Sequence, residues 1–185
     1  VSGKRKEWFD WFKALSIAVI ITFFIRLFLF SPVMVEGPSM LPTLQSGDYL
    51  IVNKMSYTIG DPERFDTIVF QATESKKYIK RVIGLPGEHI EYKNDVLYVN
   101  GEPILEPFLE DKLSHLNENQ SYTFDFALED IPGGYKTIPD GYYLVLGDNR
   151  NNSTDSRRLG LISEERFIGK AQFAIWPFNR IGLVS

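Results

Sequence analysis

Tyr78-Ile79-Lys80-Arg81-Val82-Ile83-Gly84-Leu85-Pro86-Gly87-Glu88 is rich in β-branched residues and stops at a Pro-Gly turn. This is how a strand reads, with Tyr78, Lys80 and Val82 on one face and Ile79, Arg81 and Ile83 on the other. Outward from it the pattern recurs. Val33-Met34-Val35, Tyr49-Leu50-Ile51-Val52 and Thr67-Ile68-Val69-Phe70 lie upstream. His89-Ile90-Glu91-Tyr92, Val96-Leu97-Tyr98-Val99, Tyr142-Tyr143-Leu144-Val145-Leu146 and Ala171-Gln172-Phe173-Ala174-Ile175-Trp176 lie downstream. Ser46-Gly47-Asp48, Gly60-Asp61-Pro62 and Lys93-Asn94-Asp95 supply turns between them. Many short strands at this spacing predict a mainly β fold built on an antiparallel sheet. Ser163-Glu164-Glu165-Arg166 reads as a short helix with Ser163 as its N-cap. From Glu102 to Asp140 the chain is acidic and polar with little periodicity, and His115 there reads as an exposed loop histidine. With the hairpin before it, this stretch predicts a small β/irregular subdomain inserted at about residues 88–140.

The N-terminal residues follow a different rule. Ala14 to Phe30 are nearly all apolar, at the short end of the roughly 17–25 residues that span a bilayer as a helix. Trp8, Phe9, Trp11 and Phe12 precede them as an interfacial belt would, and Lys4, Arg5, Lys6 and Lys13 are basic. Phe28-Leu29-Phe30-Ser31-Pro32 offers no small-x-small site for removal of a leader. The expectation is a cytoplasmic tail over 1–13, a transmembrane helix over 14–30 and an extracytoplasmic domain over 31–185 in the cell membrane. Arg26 would snorkel from the outer end of that helix to the lipid headgroups.

Composition removes several classes. A formal charge of −4 offers no basic field for nucleic acid. The absence of cysteine excludes disulfides, zinc–thiolate sites and thiol nucleophiles. Scattered carboxylates without an EF-hand pattern leave no metal or cofactor to expect.

Three runs carry candidate chemistry. Ser39 follows Gly37 and Pro38 in Val35-Glu36-Gly37-Pro38-Ser39-Met40-Leu41-Pro42-Thr43-Leu44, a setting for a tight, exposed turn whose Ser39 N–H could receive an oxyanion. A serine there is more often a plain turn residue. Nucleophilic serine needs a base. The two histidines, His89 and His115, lie in segments not built for it. Lys80 can serve if burial lowers its pKa, whereas the guanidinium of Arg81 stays protonated. A strand lysine is ordinarily solvent-exposed. Gly147-Asp148-Asn149-Arg150-Asn151-Asn152-Ser153-Thr154-Asp155-Ser156-Arg157 is too polar for a strand; as a loop it offers Ser153 to orient a neutral lysine, and Asp148, Arg150, Asp155 and Arg157 for ion pairs. Taken alone, it also reads as a solvated surface loop.

Together, in this order and behind an apolar segment, the three runs resemble the signature boxes of type I signal peptidases of the Gram-positive kind. The resemblance runs from the apolar segment to Trp176-Pro177-Phe178 and is weakest in the inserted stretch. It implies a membrane-bound serine endopeptidase that removes signal peptides from exported preproteins after a small-x-small motif, with membrane lipid as its other partner. It implies Ser39 as nucleophile, Lys80 as general base, Ser153 as orienting residue, Asp155 with Arg157 as support, and an Asp148–Arg81 pair. Some members have a serine where this chain has Gly37, which leaves the second oxyanion donor to the Gly37 backbone or to water. Glu88 stands where aspartate is frequent. Val33, Val35, Met40, Leu44, Tyr78 and Ile79 are the candidate walls of the substrate pockets, and each also reads as core. A self-cleaving repressor-type peptidase, and a non-catalytic membrane-tethered β binding module or inactive relative that presents preproteins, are the competing readings.

Overall fold

The computed structural model describes residues 2–117 and 120–184, with 2–6, 24–28 and 58 described by backbone alone. Helix α1 (Ser2–Phe28) is followed at once by β1 (Phe30–Met34). Phe30 therefore belongs to the sheet, not to the apolar helix: it pairs with Asn53, and Lys54 N–H donates to Leu29 O at 3.0 Å. Among the described residues no helix is long and apolar enough to cross a membrane. The helix overlaps the 14–30 segment but begins at Ser2 and ends at Phe28, with Glu7, Asp10 and Lys13 toward its N-terminal side, and the side chain of Arg26 lies outside the described residues.

The predicted strands appear as β2 (Tyr49–Asn53), β3 (Thr67–Gln71), β4 (Lys77–Gly84), β5 (Ile90–Lys93), β6 (Val96–Val99), β9 (Tyr142–Leu146) and β11 (Phe167–Trp176). Shorter ones, β7 (Glu102–Ile104), β8 (Phe126–Ala127), β10 (Ile162–Ser163) and β12 (Gly182–Leu183), complete two sheets. The larger runs β1-β2-β11-β3-β4-β9-β10, with β12 added to β11; the smaller runs β7-β6-β5-β8. Every pairing is antiparallel. The short helix expected at Ser163 is a single 3-10 turn over Glu164–Arg166, and Ser163 makes no side-chain cap. The Gly141 carbonyl takes the Glu164 N–H at 2.9 Å instead.

Strand β4 joins three cores. Ile79 packs with Val35, Met40, Leu44, Leu50 and Val69. Val82 packs with Ile68, Phe70 and Val145. Ile83 meets Ile90, Tyr92, Leu97 and Leu144, which seats the small sheet against the large one. Each such buried aliphatic is worth about 1.5–3 kcal/mol. The pairing of β4 with β9 begins only at Arg81, opposite Leu146. Tyr78, Ile79 and Lys80 thus have a ladder partner on the β3 side alone. Into the gap beyond them come the Gly37–Leu44 turn and the loop after β9.

Candidate active site

The turn that carries Ser39 is held at both ends. At its base, Val35 N–H donates to Asp48 O at 2.8 Å and Gly47 N–H to Val35 O at 2.9 Å. At its tip, Leu41 N–H donates to Pro38 O at 3.1 Å, while Met40 and Leu44 plug the turn into the core. Gly37 sits at φ +86°, a left-handed conformation that disfavours a side chain although a Cβ would meet nothing within 4 Å. Conformation, not space, selects glycine there. Its N–H points to Ser46 Oγ at 3.4 Å, so the Gly37 backbone donor is already engaged. The Ser39 N–H has no acceptor among the described residues.

Lys80 is 3 % exposed, so the reading of an ordinary solvated strand lysine fails. Its Nζ lies 2.7 Å from Ser39 Oγ and donates to Ile79 O at 2.9 Å. Burial lowers its pKa to about 8, against the opposing pull of the Asp155 and Asp148 carboxylates. Ser153 Oγ is buried with no hydrogen-bond partner, so the expected bond to Lys80 is absent from this geometry. Its hydroxyl is packed against Gly147, where a Cβ would come within 2.3 Å of Ser153 Oγ and 2.5 Å of Ser39 O. Here space selects glycine: the loop after β9 presses directly on the nucleophile turn.

Ion pairs fix that loop. Arg81 Nε and Nη2 donate to Asp148 Oδ1 and Oδ2 at 2.8 and 2.7 Å, both residues fully buried, and Arg81 Nη1 reaches Phe65 O at 2.9 Å. Thr43 Oγ1 donates to Asp148 Oδ2 at 2.6 Å, tying the nucleophile turn to the same carboxylate. Asp155 caps the short helix Ser156–Leu159, accepts Arg157 Nε at 2.9 Å and Nη2 at 2.8 Å, and accepts Gly147 N–H at 3.1 Å. Burial alone would raise the Asp155 carboxyl; Arg157, the Gly147 N–H and the nearby Ser153 hydroxyl outweigh it and lower the pKa. Ser153 is close enough for that influence without meeting hydrogen-bond geometry.

The partners of Arg150 and Asp148 in the inserted region carry no signal in the sequence. Arg150 is buried, paired with Glu106 and bonded to Thr123 Oγ1 at 3.1 Å and Gly147 O at 3.1 Å. Tyr92 donates to Glu106 at 2.8 Å, and Tyr122 to Asp148 O at 2.8 Å. Glu106, Thr123 and Tyr122 come from the acidic, aperiodic 102–140 stretch, and Tyr92 from the hairpin before it.

A cleft of about 630 Å³ opens beside the Ser39–Lys80 contact. Val33, Val35, Met40, Tyr78 and Ile79 line it, as do Met34, Glu36, Ser75, Asn152 and Thr154. Leu44 does not; it is 2 % exposed and belongs to the core, because the turn folds it under Met40. A hydroxyl held against a desolvated amine at the edge of an open cleft is the arrangement of a serine hydrolase with a lysine base.

Comparison with known proteins gives this arrangement a family. Residues 8–176 match the family described as signal peptidase, peptidase S26. A signal peptidase I from Bacillus caldolyticus is 48 % identical over 96 % of this chain and 93 % of its own. A signal peptidase IB from Staphylococcus aureus is 42 % identical over 95 % and 93 %. A crystal structure of a signal peptidase I from Enterococcus faecalis superposes with a TM-score of 0.56 at 41 % identity, covering 60 % of this chain and 97 % of that one. The chain belongs to the signal peptidase S26 family. That membership sets aside the non-catalytic binding module and the repressor-type peptidase.

Proposed function

We propose that this chain is a membrane-bound serine endopeptidase that cleaves signal peptides from exported preproteins, with Ser39 as nucleophile and Lys80 as general base. The observation that carries the reading is the 2.7 Å contact between a buried lysine amine and the Ser39 hydroxyl beside the cleft. In its neutral form Lys80 Nζ takes the Ser39 proton as Oγ attacks the scissile carbonyl. The charge on the tetrahedral oxygen falls to the Ser39 N–H. Lys80 then returns the proton to the departing amine, and water activated by the same amine hydrolyses the acyl-enzyme. The Arg81–Asp148 and Arg157–Asp155 pairs hold the loop behind the lysine. Ser153 is the proposed orienting residue for Lys80, because its buried hydroxyl has no other hydrogen-bond partner among the described residues.

Substrate would lie extended in the cleft between the Val33–Glu36 segment and the open flank of Tyr78–Lys80, adding as a strand. Val33, Val35, Met40, Tyr78 and Ile79 leave room for small side chains at alternate positions. Membrane lipid is the second partner. In α1 the apolar residues Leu15, Ile17, Val19, Ile20, Ile21 and Phe23 are exposed, so they require an apolar medium other than this domain. We place residues 1–13 in the cytoplasm, an anchor in the remainder of α1 up to Phe28, and the peptidase domain from β1 onward outside, with its insertion at 88–140. The test is cleavage of a preprotein by detergent-solubilised protein. Cleavage after the small-x-small site, lost in folded Ser39→Ala and Lys80→Met, supports the reading; cleavage that survives both moves the active site elsewhere.

A further inference from the structure

Asn149 is half-buried and does not line the cleft, yet it makes two contacts to the nucleophile turn from one residue. Its backbone N–H donates to Ser39 O at 3.0 Å, and its side-chain Nδ2 donates to Pro38 O at 3.1 Å. These carbonyls lie on either side of Ser39. The second matters more, because Pro38 C=O and Ser39 N–H belong to one planar peptide unit. Whatever fixes the direction of Pro38 O fixes the direction of the Ser39 N–H on the opposite edge. A donor on the oxygen also draws charge through the amide and strengthens the N–H as a donor. Leu41 N–H already shares Pro38 O at 3.1 Å, but it belongs to the same turn and moves with it. Asn149 comes from outside.

Its own position is stiff. The preceding residue, Asp148, is locked on Arg81, and the following one, Arg150, on Glu106, both in buried pairs. Asparagine suits the position because its amide supplies a donor, whereas an aspartate would face the Pro38 carbonyl with acceptors alone. We infer that Asn149 is a positioning residue that sets the plane of the Pro38–Ser39 peptide and thereby aims the N–H that receives the oxyanion. The inference rests on the proposed role of Ser39.

The experiment uses the full chain in detergent, with Asn149→Ala, with Asn149→Ser as a second variant should the first not fold, and with Ser39→Ala as the blank. Three probes are read: a small-x-small peptide substrate, a peptide aldehyde that forms a tetrahedral adduct on the serine, and the matching peptide alcohol, which cannot. In the Asn149 variants kcat falls by about tenfold to a hundredfold, less than direct loss of an oxyanion donor, with KM held within about twofold. Aldehyde affinity falls by the same factor, alcohol affinity stays, and the alkaline inflection of kcat/KM does not move. Unchanged aldehyde affinity, a loss carried by KM, or a shifted inflection overturns the inference while leaving the Ser39–Lys80 reading intact. An unmutated chain that cleaves no better than Ser39→Ala overturns both.

Discussion

At Lys80 one residue serves chemistry at the expense of stability. Only the neutral amine is a base, so below its pKa of about 8 the active fraction falls tenfold with each pH unit. The pH profile of kcat/KM is expected to rise with unit slope and level off near there; a profile already flat from pH 6 upward would contradict a lysine base. Stability follows the same proton. The unfolded lysine holds its proton to about 10.5, while the folded one releases it at about 8. Between those values the unfolded state binds more protons, so stability rises with pH through the window, and the burial cost is fully present below it. Lys80→Met is therefore expected to stabilise the fold at neutral pH by about 1–2 kcal/mol while abolishing cleavage, after offsetting the donor lost to Ile79 O. Urea denaturation of both proteins measures it, and a less stable Lys80→Met would show that the hydrogen bonds outweigh the desolvation.

At the scale of elements, the loop after β9 is an assembly of buried charges that ties two sheets to one turn. Arg150 reaches Glu106, Thr123 and the Tyr92 ring, all in the inserted region, whereas Asp148 reaches Arg81 in β4 and Thr43 beside the nucleophile. Removing one partner strands a charge in the interior. Arg150→Met is expected to cost about 3–5 kcal/mol, and adding Glu106→Leu to recover a large part of it. Denaturation midpoints of the single and double variants check this; a single variant costing under about 1 kcal/mol would mean that water reaches Glu106. The sequence could not show this coupling. Strand alternation and turn residues are local signals, so β2, β3, β4 and β9 were legible within a residue or two, whereas the meeting of Lys80 with Ser39 was expected from the resemblance of the three runs together and not from either residue's own surroundings. Glu106 and Thr123 stand in an acidic, aperiodic stretch where nothing local distinguishes a buried ion-pair partner from a solvated surface residue. Ser163 misled because a serine before two glutamates signals a helix start, while the β10 pairing left room for one 3-10 turn. Leu44 misled because nearness to Ser39 in sequence does not say which way the turn folds.

At the scale of the molecule, one face of the large sheet is left apolar and uncovered. Across β1, β2, β11 and β12 the register aligns Pro32, Ile51, Phe173 and Leu183 in one row, and Met34, Tyr49 and Trp176 in another. The opposite face of the same strands carries the buried Leu50, Val52, Ala171 and Ala174. Phe178, Ile181 and Leu183 extend the exposed side, and Trp176 and Phe178 stack edge to face at 4.6 Å. Such a surface is uncommon on a protein that meets only water. It begins where α1 ends, so an anchor in α1 would bring it to the same bilayer, with the cleft at the β1 edge beside it. Trp176→Ser combined with Leu183→Ser exchanges two exposed apolar side chains and touches neither Ser39 nor Lys80. At roughly 25 cal/mol per Å² withdrawn from lipid, the pair is expected to lower cleavage of a preprotein in phosphatidylglycerol vesicles about tenfold. Cleavage of a short soluble peptide in detergent should stay within about twofold. Equal losses on both substrates would place the effect in the fold; no loss on vesicles would leave α1 as the sole contact with lipid.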